Sequence, residues 1–157
     1  MSDTFPQHGR LAGIDYGTVR VGIAVCDPAR TLASPLRNYT RGDLQADQRY
    51  FQQLADSEDI VAFVIGLPVH VSGDESQKSL EARQFGEWLG ELTRLPVRFY
   101  DERYSTVQAE AAMDEAGLTS KQRKQRRDML AAQIMLSAFL ESESQGTRRP
   151  DSLEDRV

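Results

Sequence analysis

Acidic residues at three places in the chain could together bind a divalent metal ion: Asp15, the pair Asp101 and Glu102, and Asp128. Carboxylate oxygens are hard ligands that suit Mg²⁺ or Mn²⁺. Three carboxylates in one cleft would repel one another unless a cation neutralised them. Two ions held by shared carboxylates can activate water and stabilise the leaving oxygen of a phosphodiester. The residue types therefore predict hydrolytic cleavage of a nucleic-acid backbone, with Mg²⁺ or Mn²⁺ as the cofactor.

Asp15 lies between the apolar segment Leu11–Ile14 and a turn that contains Gly17. This order predicts a carboxylate at the end of a strand, facing an open cleft while its neighbours are buried. The Asp-x-Gly-Thr turn resembles those of two classes of protein, the actin-like ATPases with the sugar kinases and the ribonuclease H-like nucleases. A turn in which Asp15 only accepts backbone hydrogen bonds explains the isolated motif equally well.

Asp101 and Glu102 follow the predicted strand Pro96–Tyr100. Side chains alternate along a strand, so the two carboxylates cannot face the same side unless the strand has already ended. One is expected to serve the site and the other to support it. A surface ion pair with a neighbouring arginine is the alternative for either residue.

Asp128 stands on the apolar stripe of the last predicted helix. The residues at helical spacing from it are Ala131, Ala132, Met135, Leu136 and Phe139. This stripe must face the sheet, and the two alanines allow the helix to approach closely. Asp128 is therefore expected near the strand ends, although an Asp that caps the helix or complements its dipole would explain the residue type too.

Five of the seven residues from Lys121 to Arg127 are basic: Lys121, Arg123, Lys124, Arg126 and Arg127. Such a run is often only the solvated start of a helix. Beside an acidic metal site it acquires a second interpretation, since these side chains could contact phosphates next to the cleft.

Length and composition narrow the class of protein. A chain of 157 residues is expected to form one domain, whereas an actin-like ATPase needs two domains and at least twice this length. The net charge of −5 is unusual for a nucleic-acid binder, so the local basic run matters more than the sum. A single cysteine, Cys26, excludes an internal disulfide framework. The N-terminus shows no signal-peptide pattern and the longest apolar run, Ile60–Ile65, is too short to cross a bilayer, so a cytoplasmic protein without a membrane partner is expected.

The apolar periods predict an α/β fold. Three strands, within 10–16, 19–26 and 31–39, precede a helix over 43–58, a strand over 60–65, a helix containing Phe85 and Leu89, and a strand over 96–100. One helix is expected after Ser105 and another from about Arg126. This order predicts a ribonuclease H-like three-layer fold, with a mixed five-stranded sheet flanked by helices. The domain is predicted over residues 10–141, with flexible termini at 1–9 and 142–157.

Several separated motifs resemble, in the same order, those of the YqgF/RuvX family of Holliday-junction resolvases and pre-16S ribosomal RNA nucleases. The segments are Gly13–Thr18, Val64–Pro68, Ser72–Gly73, Asp101–Thr106 and Asp128–Ala132. The match extends from about Leu11 to Leu140. The resemblance implies a ribonuclease H-like fold and assigns the metal-binding catalytic places to Asp15, Glu102 and Asp128.

The resemblance also implies contacts to nucleic acid outside the basic run, at Thr18, Arg20, Ser72 and Arg103. The family commonly has a lysine where this chain has Val19, so one cationic contact to the substrate is missing. The loop that holds Ser72 has a second interpretation as a helix entry, because Asp74 and Gln77 have capping-box spacing.

The predicted function is a metal-dependent nuclease that processes the 5′ end of pre-16S ribosomal RNA. The alternatives are a resolvase acting on branched DNA and a non-catalytic nucleic-acid-binding factor with the same fold. Carboxylates without metal would weaken binding to phosphate, which argues against the last of these. The partner is thus nucleic acid, and the protein is expected to be a monomer or a homodimer.

Overall fold

In a computed structural model of the chain, the structure describes residues 5–68, 76–102 and 119–148. Within the last range, the side chains at positions 120, 121, 123–128 and 145–148 are not among those described. The elements, in chain order, are β1 (Arg10–Asp15), β2 (Arg20–Cys26), β3 (Ala33–Thr40), α1 (Leu44–Ser57), β4 (Ile60–Leu67), α2 (Gln77–Thr93), β5 (Val97–Asp101) and α3 (Ser120–Arg148).

The five strands form one sheet in the order β3-β2-β1-β4-β5. β1, β2 and β3 pair antiparallel as a meander, β4 pairs parallel with β1, and β5 pairs parallel with β4. The parallel pairs require crossovers, which helices provide. The predicted mixed five-stranded sheet is confirmed.

Helices cover both faces of the sheet, which gives three layers. On one face, Phe51 of α1 and Phe85 and Leu89 of α2 pack against the sheet. On the other face, α3 packs its buried stripe, which includes Ala132 and Leu136. A strand that is buried on both faces has a continuous apolar sequence, and β4 (Ile60–Leu67) has such a sequence.

α3 begins at Ser120, six residues earlier than the predicted start near Arg126. Thr119 and Gln122 form a reciprocal capping box that explains the difference. The backbone amide of Gln122 donates to Thr119 Oγ1 at 3.2 Å, and the backbone amide of Thr119 donates to Gln122 Oε1 at 2.9 Å. The basic run therefore lies inside the first turns of α3.

Two further local predictions differ from the structure. α2 is capped by Ser76, whose hydroxyl accepts from the Ser79 amide at 3.0 Å and donates to the Pro68 carbonyl at 3.1 Å, so the cap is not Asp74. In the sequence of α1, Leu44 recurs at helical spacing with Phe51, Leu54 and Ala55, which predicts that it is buried with them. Leu44 is instead 62% exposed, because the buried position in the first turn belongs to Asp47.

The structure also describes residues on either side of the predicted domain 10–141. Phe5 is buried against Phe139, with ring centroids 6.0 Å apart, and α3 continues to Arg148. The helix predicted after Ser105 lies outside the described residues. None of the helices described is long and apolar enough to cross a membrane.

Candidate active site

Asp15 is the last residue of β1, and its side chain belongs to the face of the sheet that α3 covers. A side chain at Gly13 would contact Leu136 Cβ at 3.0 Å, so position 13 faces α3. Residues two apart on a strand share a face, which places Asp15 on that side as well. Asp15 is half-buried, as expected for a carboxylate at the end of a buried strand.

Both strand neighbours of Asp15 on this face are glycines. Gly22 of β2 pairs directly with Asp15. Between β1 and β4, Ile14 pairs with Ile65. The same register places Gly66 of β4 beside Asp15. Neither neighbouring strand thus places a Cβ atom beside the Asp15 carboxylate, and this arrangement is suited to an ion with its water ligands.

Glu102 lies directly over Gly66. A Cβ atom at Gly66 would overlap the Glu102 carboxylate, with the Glu102 Cδ only 2.6 Å away. Two carboxylates at the ends of different strands, Asp15 and Glu102, therefore occupy the same edge and the same face of the sheet. Glu102 Oε2 is a buried atom.

The structure distinguishes Glu102 from Asp101. Asp101 is still in β5, paired with Leu67, and alternation puts it on the side of Phe99, whose ring packs against Gly86 of α2. Glu102 follows the strand and lies over the opposite face.

The contacts of β5 show which way α3 runs. Arg98 Nη1 is 3.3 Å from Glu143 Oε2, and the Tyr100 and Phe139 ring centroids are 5.9 Å apart. Advancing along β5 toward Glu102 therefore moves toward the N-terminus of α3.

Along β1, too, moving toward the C-terminal end of the strand moves toward the N-terminus of α3, and this determines where the backbone of Asp128 lies. A side chain at Gly13 would be 3.4 Å from the Ala132 carbonyl oxygen. Asp15 is two residues further toward the edge, and position 128 is one helical turn further in the same direction. The backbone of Asp128 thus approaches the edge that holds Asp15, although its side chain is not among those described.

The turn after Asp15 is compact. A Cβ atom at Gly17 would overlap the carbonyl oxygen of Arg20, so this position requires glycine. Thr18 and Val19 are exposed at the tip, Val19 at 60%. Arg20 begins β2 on the same face as Gly22, hence on the Asp15 side.

The other predicted nucleic-acid contacts involve residues or side chains that the structure does not describe. Ser72 and Arg103 are outside them entirely. The backbones of Lys121, Arg123, Lys124, Arg126 and Arg127 lie in α3, but their side chains are not described.

Sequence reasoning missed a polar cluster on the opposite face, around the buried carboxylate of Asp47. Tyr39 donates to Asp47 Oδ1 at 2.8 Å, and Arg41 Nε is 3.1 Å from Asp47 Oδ2. Burial and the hydrogen bond to Asp47 raise the pKa of Tyr39 to about 12. A signal was available, since Asp47 stands four residues before buried Phe51 on the apolar stripe of α1.

The donor set fits a hard divalent cation. Asp15 and Glu102 supply carboxylate oxygens beside two glycines, and Asp128 could supply a third carboxylate. Among the side chains described, no three His, Cys, Asp or Glu residues group as a metal site. The side chain of Asp128 is not among those described.

Comparisons with known proteins identify the family. A model of the RuvX family, whose description is Holliday junction resolvase, matches residues 9–142. The "Putative pre-16S rRNA nuclease" of Rhodopirellula baltica is 51% identical over 140 residues, which are 89% of this chain and 81% of that protein. The protein of the same name from Rhodobacter capsulatus is 41% identical over 136 residues, 87% of this chain and 86% of its own.

Solved structures are similar at much lower sequence identity. RuvC of T. thermophilus, solved in complex with a Holliday junction substrate, has a TM-score of 0.55 at 17% identity, covering 88% of this chain and 97% of that one. The yeast mitochondrial Holliday junction resolvase has a TM-score of 0.55 at 8% identity, covering 98% of this chain and 87% of that one. These likenesses confirm the ribonuclease H-like fold, and the match to the family model over most of the sequence establishes that the chain belongs to the RuvX family.

Proposed function

We propose that this protein is a divalent-metal-dependent nuclease that hydrolyses phosphodiester bonds and processes the 5′ end of pre-16S ribosomal RNA. The observation that carries the proposal is the meeting of Asp15 and Glu102 on one face of the sheet, with glycines at both strand neighbours of Asp15. Two acidic groups on one edge and face of the sheet repel each other, and a divalent cation bound between them would offset this repulsion.

Asp15, Glu102 and Asp128 would hold the ions, which are Mg²⁺ or Mn²⁺. Bound ions of this kind activate water and stabilise the leaving oxygen of a phosphodiester. The protein's own contribution is to fix the carboxylates on three separate elements. Strand ends and a packed helix hold such groups more rigidly than loops would.

We assign substrate binding to the following polar and basic residues: Thr18, Arg20, Ser72, Arg103, Lys121, Arg123, Lys124, Arg126 and Arg127. Thr18 is exposed at the tip of the turn that follows Asp15, and Arg20 begins the next strand.

The charge pattern of α3 supports a polyanionic partner. The N-terminal end of a helix carries a partial positive charge and is stabilised by acidic residues. The first turn of α3 contains none, and the basic run of Lys121–Arg127 follows instead. This arrangement opposes the helix dipole in the free protein and favours an approaching phosphate backbone.

The choice of RNA over DNA rests on the relatives. The two that are 51% and 41% identical carry the pre-16S rRNA nuclease name. The structural neighbour solved with a Holliday junction is only 17% identical. Resolution of branched DNA is the second candidate, because the family description is Holliday junction resolvase. A non-catalytic binding factor is the third.

The decisive experiment incubates the purified protein with Mg²⁺ or Mn²⁺ and either a pre-16S RNA fragment or a four-way DNA junction. We expect metal-dependent cleavage of the RNA near the mature 5′ end and its loss in Asp15→Asn. Cleavage of the junction alone would establish the second candidate. Tight binding without cleavage of either substrate would establish the third.

A further inference from the structure

Asp47 is a charged side chain buried in the first turn of α1, only 2% exposed. Burying a carboxylate is unfavourable unless its oxygens are compensated. Asp47 Oδ1 accepts hydrogen bonds from the Tyr39 hydroxyl at 2.8 Å and the Gly42 amide at 3.0 Å. Oδ2 faces Arg41 Nε at 3.1 Å.

Arg41 extends this cluster to the turn that follows Asp15. Its backbone amide donates to the Val19 carbonyl at 2.9 Å. Its Nη1 atom is 3.5 Å from both the Tyr16 hydroxyl and the Gly17 carbonyl oxygen. Its guanidinium carbon lies 5.6 Å from the Tyr16 ring centroid, within the range of a cation–π contact. Arg41 thus contacts three of the four residues between Asp15 and Arg20.

Tyr16 connects this cluster to the acidic site. It follows Asp15 directly, and its ring packs on the α1 and α2 side, 5.3 Å from the Phe85 centroid. Consecutive residues at a strand end project to opposite faces. Fixing Tyr16 on one face therefore fixes the backbone from which the Asp15 carboxylate projects on the other.

We propose that Arg41 and Asp47 are positioning residues, which clamp the turn Tyr16–Arg20 from the far face of the sheet and so hold Asp15 in its metal-binding orientation. The inference rests on the proposed metal-dependent function. The clamp touches neither substrate nor ion and acts through the turn alone. Removing outer contacts that orient metal ligands commonly lowers metal affinity or activity by about 10–100-fold.

A merely structural ion pair is the competing explanation, and the chain offers a matched control for it. Arg10 Nη1 and Glu58 Oε1 are 3.1 Å apart and connect the first residue of β1 to the C-cap of α1. This pair lies at the start of β1, the opposite end from Asp15. Glu58→Gln weakens an ion pair of the same type without touching the turn.

The test compares wild type with Arg41→Met, Arg41→Lys, Asp47→Asn and Glu58→Gln. Asp47→Asn keeps the side-chain size and an oxygen acceptor, so it remains informative if larger changes prevent folding. Mn²⁺ affinity is measured from the electron paramagnetic resonance signal of free Mn²⁺, and backbone mobility from hydrogen–deuterium exchange of peptides that contain residues 16–20. Both are measured without nucleic acid.

We expect Arg41→Met and Asp47→Asn to weaken Mn²⁺ binding by roughly tenfold. In both variants the backbone amides of residues 16–20 should exchange hydrogen for deuterium faster than in wild type. Arg41→Lys should recover part of the affinity, since it retains the charge beside Asp47. Glu58→Gln should leave both quantities unchanged even where its melting temperature falls. Wild-type Mn²⁺ affinity and turn exchange in Arg41→Met would overturn the clamp. A wild-type protein that binds Mn²⁺ but cleaves no RNA would instead defeat the proposed function.

Discussion

At the scale of single residues, the contact between Gly66 and Glu102 gives the sharpest prediction. A methyl group at position 66 overlaps a carboxylate that can swing away, so Gly66→Ala should displace Glu102 at little cost in stability. Alanine is about 0.5–1 kcal/mol better than glycine within a strand, which offsets part of any strain. We expect cleavage to fall about tenfold or more while the melting temperature stays near that of wild type.

Gly86→Ala is the matched control for Gly66→Ala. Its new methyl group would lie 2.7 Å from the Phe99 ring, in the packed layer between α2 and β5. Overpacking of this kind costs roughly 1–3 kcal/mol, so this variant should lose stability and keep its cleavage rate at temperatures where it is folded. Equal losses of cleavage in the two variants would mean that the Gly66 effect does not act through Glu102.

Asp15→Asn tests the proposed ligand itself. The change keeps the size of a half-buried side chain and removes its charge, so the apo protein should melt at the same temperature or slightly higher. In wild type, Mn²⁺ should raise the melting temperature, because an ion that binds only the folded state stabilises it. Calorimetry should show this shift shrink or vanish in Asp15→Asn. An unchanged shift would remove Asp15 from the metal site.

The residue pattern selected the acidic candidates but did not by itself distinguish Asp101 from Glu102, and only the family resemblance favoured Glu102. That choice depends on the pairing register of β5, because a one-residue shift of register exchanges the two faces. The sequence pattern placed the end at Tyr100, whereas β5 includes Asp101. The criterion that drew attention to Asp128, a carboxylate on an apolar helical stripe, applied equally to Asp47 and was not used there.

At the scale of elements, the start of α3 determines how the basic run is presented. Lys121, Arg123 and Lys124 lie in its first two turns, on the way to Asp128. Changing all three to Gln should weaken binding to any phosphate backbone. Each lost contact should lower the slope of log affinity against log salt by about 0.7 on single strands and 0.9 on duplex.

A control of equal charge separates a local contact from a change in net charge. Arg37, Arg49 and Arg94 are exposed on β3, α1 and the end of α2. Changing these three to Gln removes the same total charge and should leave the salt slope close to that of wild type. Equal slopes for the two triple variants in a fluorescence titration would show that the basic run makes no specific phosphate contact.

The contact between β3 and α1 predicts a loss of stability at high pH. Tyr39 has an ordinary pKa of 10.0 and a pKa of about 12 in the folded protein, through burial and the hydrogen bond to Asp47. The folded state therefore holds this proton more tightly than the unfolded state. The stabilisation that protonated Tyr39 contributes to the free energy of unfolding is fully present below pH 10 and is lost as the pH rises toward 12.

Urea unfolding between these two pH values measures this effect. The free energy of unfolding should fall with pH in wild type and fall less steeply in Tyr39→Phe. Tyr50 is a useful comparison, because burial raises its pKa too while it makes no hydrogen bond to Asp47 in the described structure. An unchanged slope in Tyr39→Phe would mean that other groups cause the decline.

Element boundaries were predictable where local chemistry marks them and elsewhere less so. Asp43 caps α1 by accepting from the Ala46 amide at 2.8 Å, and the predicted range of that helix is confirmed. The start of α3 lies before the predicted one because the apolar period from which the helix was inferred begins only at Asp128, while the cap formed by Thr119 and Gln122 precedes the basic run. The tight turn at Gly17 was foreseeable as a turn, but its link to Arg41 was not, since the two are 24 residues apart in the chain.

At the scale of the whole molecule, the topology gathers the functional groups at one edge of the sheet. β1, β4 and β5 are parallel, so their carboxyl ends, which carry Asp15 and lead to Glu102, lie on the same side. α3 runs in the opposite direction across one face and brings its N-terminal turns to this edge. Alternating apolar patterns could predict the layers, but only the pairing register shows that Asp15 has glycines on both sides.

Anomalous diffraction from crystals soaked in Mn²⁺ would show whether Asp15, Glu102 and Asp128 form one metal centre. We expect anomalous density at the ends of β1 and β5, with carboxylate oxygens of all three residues within roughly 2.5 Å, close to the metal–oxygen distances of hard divalent ions. Mn²⁺ bound elsewhere, or an Asp128 carboxylate directed into solvent away from Asp15, would contradict the account.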